Sequence, residues 1–217
     1  MEEKATVIRS ETKVSAQELI ALRDIFRVRE VSGGYEISDG IAEDVEEYVI
    51  PDFVVSIGEN AFDGFDSLSE LTVPASVKHI DGNAMGNCFP NIVNMTVSQA
   101  ILNELSKNAQ TLRDVFDADL EYNISFAPDV TVITKGVLSG FCFEELDFRK
   151  SNLKSIEAFA FADCEIGRIY LGDTIQNIDE EAFSDCYGLE TVTLTANCPL
   201  SIRELRDVFE DCKITRS

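Results

Sequence analysis

Phe161-Ala162-Asp163-Cys164 returns as Phe183-Ser184-Asp185-Cys186 and again as Phe209-Glu210-Asp211-Cys212. An isoleucine stands five to seven residues ahead of each copy, at Ile156, Ile178 and Ile202. A fixed period of about 23 residues belongs to stacked coils, each a unit that cannot bury its apolar edge alone. The tetrapeptide has the look of a thiol motif. In register with Phe62/Phe65, Met85/Cys88 and Leu138/Phe141, however, its Phe and Cys fall at positions that other apolar residues also fill. It therefore reads as core.

The best copies show how one unit is built. Leu68-Ser69-Glu70-Leu71-Thr72-Val73-Pro74 is strand-like, with Leu68, Leu71 and Val73 inward and Glu70 and Thr72 outward. Val77-Lys78-His79-Ile80 is a second extended piece, and Asp81 to Cys88 turns back as a short helical or 3-10 arc. A shift of 23 residues carries Pro51 to Pro74, Ile57 to Ile80 and Phe62 to Met85. A degenerate copy is expected at Ile37 to Ile41, 20 residues before Ile57. The fold class that follows is α/β: a solenoid of stacked short parallel strands and short helical arcs. Residues 35–217 are expected to form it in about seven to eight coils.

Two regions depart from the period. Ser98 to Ala109 reads as a helix with Ser98 as its N-cap, so a helical insertion is expected near 98–118. Ser15 to Phe26 reads as an amphipathic helix, so residues 1–34 are expected to form a helical N-terminal cap. One phrase occurs three times, as Leu22-Arg23-Asp24-Ile25-Phe26, Leu112-Arg113-Asp114-Val115-Phe116 and Leu205-Arg206-Asp207-Val208-Phe209. It is either a repeated binding element or a helical variant of the inward arc.

The net charge is −22 and unevenly placed: Glu30 to Val77 holds twelve acids and no Lys, Arg or His. Such a field repels nucleic acid and anionic membrane, and attracts a basic protein surface. No run of about 18 apolar residues exists, so no membrane-inserted helix is expected. Met1 to Thr6 lacks a basic segment followed by an apolar one. A cytoplasmic location is expected, or the cell surface or outside if the chain is a fragment of a longer precursor. Of six cysteines, Cys88, Cys164, Cys186 and Cys212 share one repeat position. They read as buried reduced thiols, with a disulfide between neighbouring coils as the alternative.

Ile57-Gly58-Glu59-Asn60-Ala61-Phe62, Leu68 to Val77 and Ile178 to Cys186 resemble the BspA-like, or Treponema-type, leucine-rich repeat. That family reads as Ile-Gly-x-x-Ala-Phe-x-x-Cys followed by Leu-x-x-Ile-x-Ile-Pro. The resemblance covers roughly residues 35–212 and is weakest at 98–130. It implies a right-handed solenoid with its parallel sheet on the concave side. It also implies a binding protein without cofactors, akin to surface proteins that adhere to host proteins and other cells.

Aligned strands give two outward columns: Glu47, Glu70, Asn94, Asn123, Glu145, Arg168, Thr191, and Val49, Thr72, Thr96, Ser125, Asp147, Tyr170, Thr193. From these, Glu47, Glu70, Thr72, Asn94, Thr96, Asn123, Glu145, Asp147, Arg168, Tyr170 and Thr191 are the candidate protein-binding residues, Tyr and Arg being common interface anchors. No catalytic, cofactor or metal residue is expected. His79 is the lone histidine and reads as a surface residue. There is no Gly-x-Ser-x-Gly, phosphate loop or His-Glu-x-x-His. Asp39, Glu43 and Asp44 lack the ordered spacing of a calcium loop. The expected function is non-enzymatic protein recognition. The alternative is an acidic inhibitor or nucleic-acid mimic occupying a basic protein surface, and end-to-end self-association is a further expectation.

Overall fold

The computed structural model of the chain describes residues 14–41, 44–116, 121–209 and 212–217. The first half runs α1 (Ala16–Arg23), β1 (Arg27–Val31), β2 (Gly34–Ser38), β3 (Glu47–Val49), β4 (Val54–Ile57), β5 (Glu70–Val73) and β6 (His79–Ile80). Next come β7 (Ile92–Val97), α2 (Gln99–Lys107), α3 (Arg113–Phe116), β8 (Glu121–Phe126) and β9 (Val132–Ile133). The chain continues through β10 (Cys142–Asp147), β11 (Ser155–Ile156), β12 (Glu165–Leu171), β13 (Asn177–Ile178), β14 (Thr191–Leu194), α4 (Ile202–Leu205) and β15 (Lys213–Arg216).

Strands contributed by successive coils stack in parallel. β3-β5-β7-β8 and β10-β12-β14-β15 form one face of longer strands, and β9, β11 and β13 stack as a second column of two-residue strands. The long strands form because apolar residues alternate with polar ones. In β5, Leu71 and Val73 have no exposed surface while Glu70 and Thr72 stay half-buried.

The arcs explain the tetrapeptide. They too are laddered: Phe62 N donates to Ala84 O (2.9 Å), Leu138 N to Ala160 O (3.0 Å) and Phe161 N to Ala182 O (2.9 Å). Phe161 and Cys164 are fully buried. Between them Asp163 adopts φ +56°, as Asp185 does at +57°, Gly64 at +83° and Gly140 at +77°. The third position of Phe-x-Asp-Cys is a left-handed turn, which Gly adopts freely and Asp tolerates better than most residues. Inside, Phe161 stacks on Phe183 at 5.1 Å, and the Phe209 ring lies tilted against Phe183 at 4.9 Å, both close to the spacing of about 4.8 Å between strands.

Within the stretched region residues 99–107 form a helix, and 117–118 of the expected insertion lie outside the described residues. Ser98 caps α2, with its hydroxyl accepting from Ile101 N and donating to Val77 O at 3.1 Å. Helix α2 packs between β6 and β9 in the short-strand column. Its first side chain substitutes for a strand. Gln99 Oε1 accepts from Thr131 N (2.8 Å) and Val132 N (2.9 Å), while Gln99 Nε2 donates to Val132 O (2.9 Å). On the other side His79 Nδ1 contacts the Glu104 carboxylate. Leu112, Val115 and Phe116 of the recurring phrase are buried and Asp114 is exposed, as in the helical-arc reading.

The first 34 residues differ from the helical expectation. Residues 1–13 lie outside the described residues, the helix spans Ala16–Arg23, and Arg27–Val31 pairs antiparallel with Gly34–Ser38 as a hairpin. The β-branched Val28 and Val31 before a two-residue Ser32-Gly33 turn are a hairpin signal that a purely helical reading does not use. β2 then pairs parallel with β4, Ile37 opposite Ile57, where the degenerate copy was expected. Leu22 and Phe26 are buried, the Phe26 ring lying 5.4 Å from Phe62 and 5.6 Å from Phe65.

Candidate functional site

All eleven candidate residues sit on outward positions of the long strands, and none is buried. Their register holds within each stretch but shifts once. Glu47 pairs with Glu70 and Val49 with Thr72, as aligned from sequence. At the next step Glu70 faces Ile92 and Thr72 faces Asn94, so Asn94 and Thr96 lie two residues further along than the sequence columns place them. Alternation cannot distinguish registers two residues apart, because both keep Val93, Met95 and Val97 inward. Beyond that step Asn94 pairs with Asn123 and Thr96 with Ser125; further on Glu145 pairs with Arg168 and Arg168 with Thr191, as Asp147 does with Tyr170 and Tyr170 with Thr193.

The polar side chains of this face bond to one another across coils. Asn94 Nδ2 donates diagonally to Glu70 Oε1, Asn123 Nδ2 donates to Asn94 Oδ1 (2.9 Å), and the Thr96 and Ser125 hydroxyls lie 3.0 Å apart. The acidic block is partly neutralised: Arg27 pairs with Asp39 (2.8 Å) and Arg29 with Glu36 (2.7 Å) across the first hairpin. Glu43 lies outside the described residues.

Toward the other end the face carries a preassembled cluster. Arg149 Nε and Nη2 donate to the two carboxylate oxygens of Asp147, at 2.9 and 2.7 Å, and its guanidinium lies 4.2 Å from the centre of the Tyr170 ring. Arg168 reaches Glu144 at 3.2 Å and Glu145 at 3.8 Å. Arg149 was absent from the sequence candidates. It stands two residues from Asp147, across the buried Phe148, so alternation alone could have found it. Its hydrogen bonds hold the Asp147 carboxyl below the usual carboxylate range. Stabilisation from this clasp is therefore present above the ordinary Asp range and lost as pH falls through the lowered value. A side-chain NMR titration is expected to find Asp147 titrating low and Arg149→Ala moving it up; an unmoved value would contradict the clasp.

Between β8 and β10 the long-strand ladder stops. Among the described residues no strand pairing joins them, and a slit of about 850 Å³ opens, lined by Arg113, Glu121 to Ser125 and Gly140 to Glu145. The same two coils stay paired through β9–β11 and through Leu138 N to Ala160 O, so only this face opens. Bulk explains it: the Tyr122 ring lies 4.8 Å from Phe141, and Phe141 lies 5.9 Å from Phe143. β10 also places two exposed residues, Glu144 and Glu145, between buried Phe143 and Leu146, which breaks its alternation as a bulge does.

The six thiols are free. Cys142 is exposed on the slit, and Cys88, Cys164 and Cys198 are buried. Burial pushes the Cys88 thiol up to about 11. A hydrogen bond with Cys186, together with burial, raises Cys164. No group of three or more His, Cys, Asp or Glu side chains suited to a metal occurs among the described residues. None of their helices is long and apolar enough to cross a membrane.

A family model for the BspA type leucine rich repeat region matches residues 42–111 and 112–217, in six copies. The chain belongs to the BspA-type leucine-rich repeat family. The two BspA-type blocks meet between α2 and α3, where the period stretches. Among solved structures the chain is similar to a leucine rich cell surface protein from Faecalibacterium prausnitzii, at 19% identity and a TM-score of 0.39. The match covers 84% of this chain and 40% of that one, so this array spans well under two thirds of that protein's length. No curated protein matches the sequence.

Proposed function

We propose that this BspA-type array is a non-enzymatic protein-recognition module that binds its partner through the long-strand face. The observation that carries the reading is the Asp147-Arg149-Tyr170 cluster. There a guanidinium is already fixed by two hydrogen bonds and laid over an aromatic ring before any partner arrives. Pre-ordered Arg and Tyr side chains lose little freedom on binding, and these residue types dominate interface energetics. Glu46, Glu47 and Glu70 at the other end favour a partner with a basic surface there. Helix α1 and the β1-β2 hairpin serve as the cap of the first coil, in keeping with the burial of Leu22 and Phe26 against it.

The test compares the wild-type chain with the double variant Arg149→Ala/Tyr170→Ala and with Asn177→Ala on the short-strand side, each immobilised against proteins of the native source. The double variant is expected to bind its partner at least about tenfold more weakly, the loss of a modest hot spot. Asn177→Ala is expected to bind as wild type. Equal binding by all three overturns the reading.

A further inference from the structure

We propose that Cys186 is a modification site for a small neutral or cationic disulfide, and that the Cys164 thiol of the preceding coil resolves the adduct into a Cys164–Cys186 disulfide.

The stacking of coils sets the two cysteines side by side. Tyr187 N donates to Cys164 O (3.0 Å), and Glu165 bridges to Tyr187 in parallel. Residues flanking such a bridge lie about 4.8 Å apart across the ladder, inside the roughly 4.4–6.8 Å that a disulfide spans between Cα atoms. The thiols also face one another. Cys186 Sγ donates to Phe161 O (2.9 Å), on the coil that carries Cys164, and the two thiols share a hydrogen bond. Cys212 is arranged differently: its Sγ turns back to Phe209 O of its own arc, at 3.9 Å.

The pair is unequal. Cys164 has no exposed surface, while Cys186 is half-buried and lines a cleft of about 460 Å³ together with Tyr187 and Phe209. Cys186 is therefore the thiol that ionises first. The hydrogen bond with Cys164 holds it below the ordinary thiol range, against burial and the carboxylates of Asp163 and Asp185. An accessible thiolate beside a resolving thiol is the arrangement of a redox-sensitive pair. Glu180, Asp185 and Asp207 stand around the cleft, so it disfavours an anionic disulfide and admits a neutral or cationic one.

The chemistry is thiol–disulfide exchange in two steps. The Cys186 thiolate attacks one sulfur of R–S–S–R. A bond forms between Cys186 Sγ and that sulfur, the R–S–S–R bond breaks, and R–S⁻ leaves. Cys164 gives its proton to this R–S⁻ and attacks Cys186 Sγ. The second R–S⁻ leaves and takes up the proton that Cys186 lost. Two protein thiols are oxidised, one small disulfide is reduced, and two R–SH are released.

The test treats the reduced full chain with cystamine, a cationic disulfide, and maps all six thiols by mass spectrometry over time. Cys186 is expected to react at least about tenfold faster than the buried Cys88 and Cys198. The end product is expected to carry a Cys164–Cys186 link with no cystamine half on either residue. Cys164→Ala is expected to stop at the mixed disulfide on Cys186, and Cys212→Ser to react as wild type. Oxidised glutathione, an anionic disulfide, is expected to react with Cys186 at least about tenfold more slowly at low salt. Should Cys164→Ala fail to fold, the linkage found in the wild-type chain decides. A Cys186–Cys212 link, a mixed disulfide that persists on Cys186 in the wild type, or equal rates with the two disulfides overturns the proposal.

Discussion

Replacing Phe161 with alanine is expected to destabilise the chain by about 3–5 kcal/mol, the range for removing a buried Phe. The ring has no exposed surface and sits among Phe143 (5.8 Å), Phe148 (6.4 Å) and Phe183 (5.1 Å). Phe143 and Phe148 belong to its own coil and Phe183 to the next, and the ladders on either side hold their backbones, so the cavity has little room to collapse. In a chain of this size each kcal/mol lowers the melting temperature by about 2–4 °C. Because each coil contacts only its neighbours, the coils from β10 onward are expected to melt ahead of the first half. Phe161→Leu should lose much less. Denaturant unfolding followed by hydrogen exchange checks both points. A loss below about 1 kcal/mol for Phe161→Ala would mean that the arcs are not the packed core described.

The second large effect is expected at Gln99. Gln99→Ala removes the four hydrogen bonds that join α2 to Thr131 and Val132 and leaves the amides of those two residues without that partner. Such part-buried groups cost about 1–3 kcal/mol each when unsatisfied, and access to water lowers the sum to about 2–4 kcal/mol here. Gln99→Glu keeps a carboxylate oxygen for both amides and loses only the Nε2 donation, so it should cost about 1 kcal/mol. The amides of Thr131 and Val132 should exchange fast in the alanine variant and stay slow in the glutamate variant. Equal stability of all three proteins would contradict the role of the side chain as a substitute strand.

Much of this architecture is legible in the residues. Leu71 and Val73 declare the inward side of a strand, and Ser98 declares the start of α2. The Asp of Phe-x-Asp-Cys makes sense once Gly64 and Gly140 are seen at the same position. What failed did so for identifiable reasons. The step from β5 to β7 was placed two residues off because alternation repeats every two residues. The Arg27–Ser38 hairpin was passed over because the helical pattern before it was carried through the turn. The gap between β8 and β10 has one signal in the sequence, the Glu144-Glu145 pair that breaks the alternation of β10; the crowding of Tyr122, Phe141 and Phe143 has none. Arg149 was missed because it lies just past its strand, although it shares a side with Asp147.

The candidate face also changes in character. From sequence it runs from acidic, through amide and hydroxyl, to a basic and aromatic patch. In the fold the acidic end is partly tied to Arg27 and Arg29, the middle is a bonded ladder from Glu70 to Asn123, and the far end is a clasp around Tyr170.

Hydroxyl-radical footprinting of the chain with its captured partner separates binding on the long-strand face from binding elsewhere. Tyr170 reports on the long-strand face, while Phe89 and Tyr187, 59% and 58% exposed, report on the turns beside the arcs. Partner binding is expected to protect Tyr170 and to leave Phe89 and Tyr187 as reactive as in the free chain. Protection of Phe89 or Tyr187 with Tyr170 unchanged would contradict it.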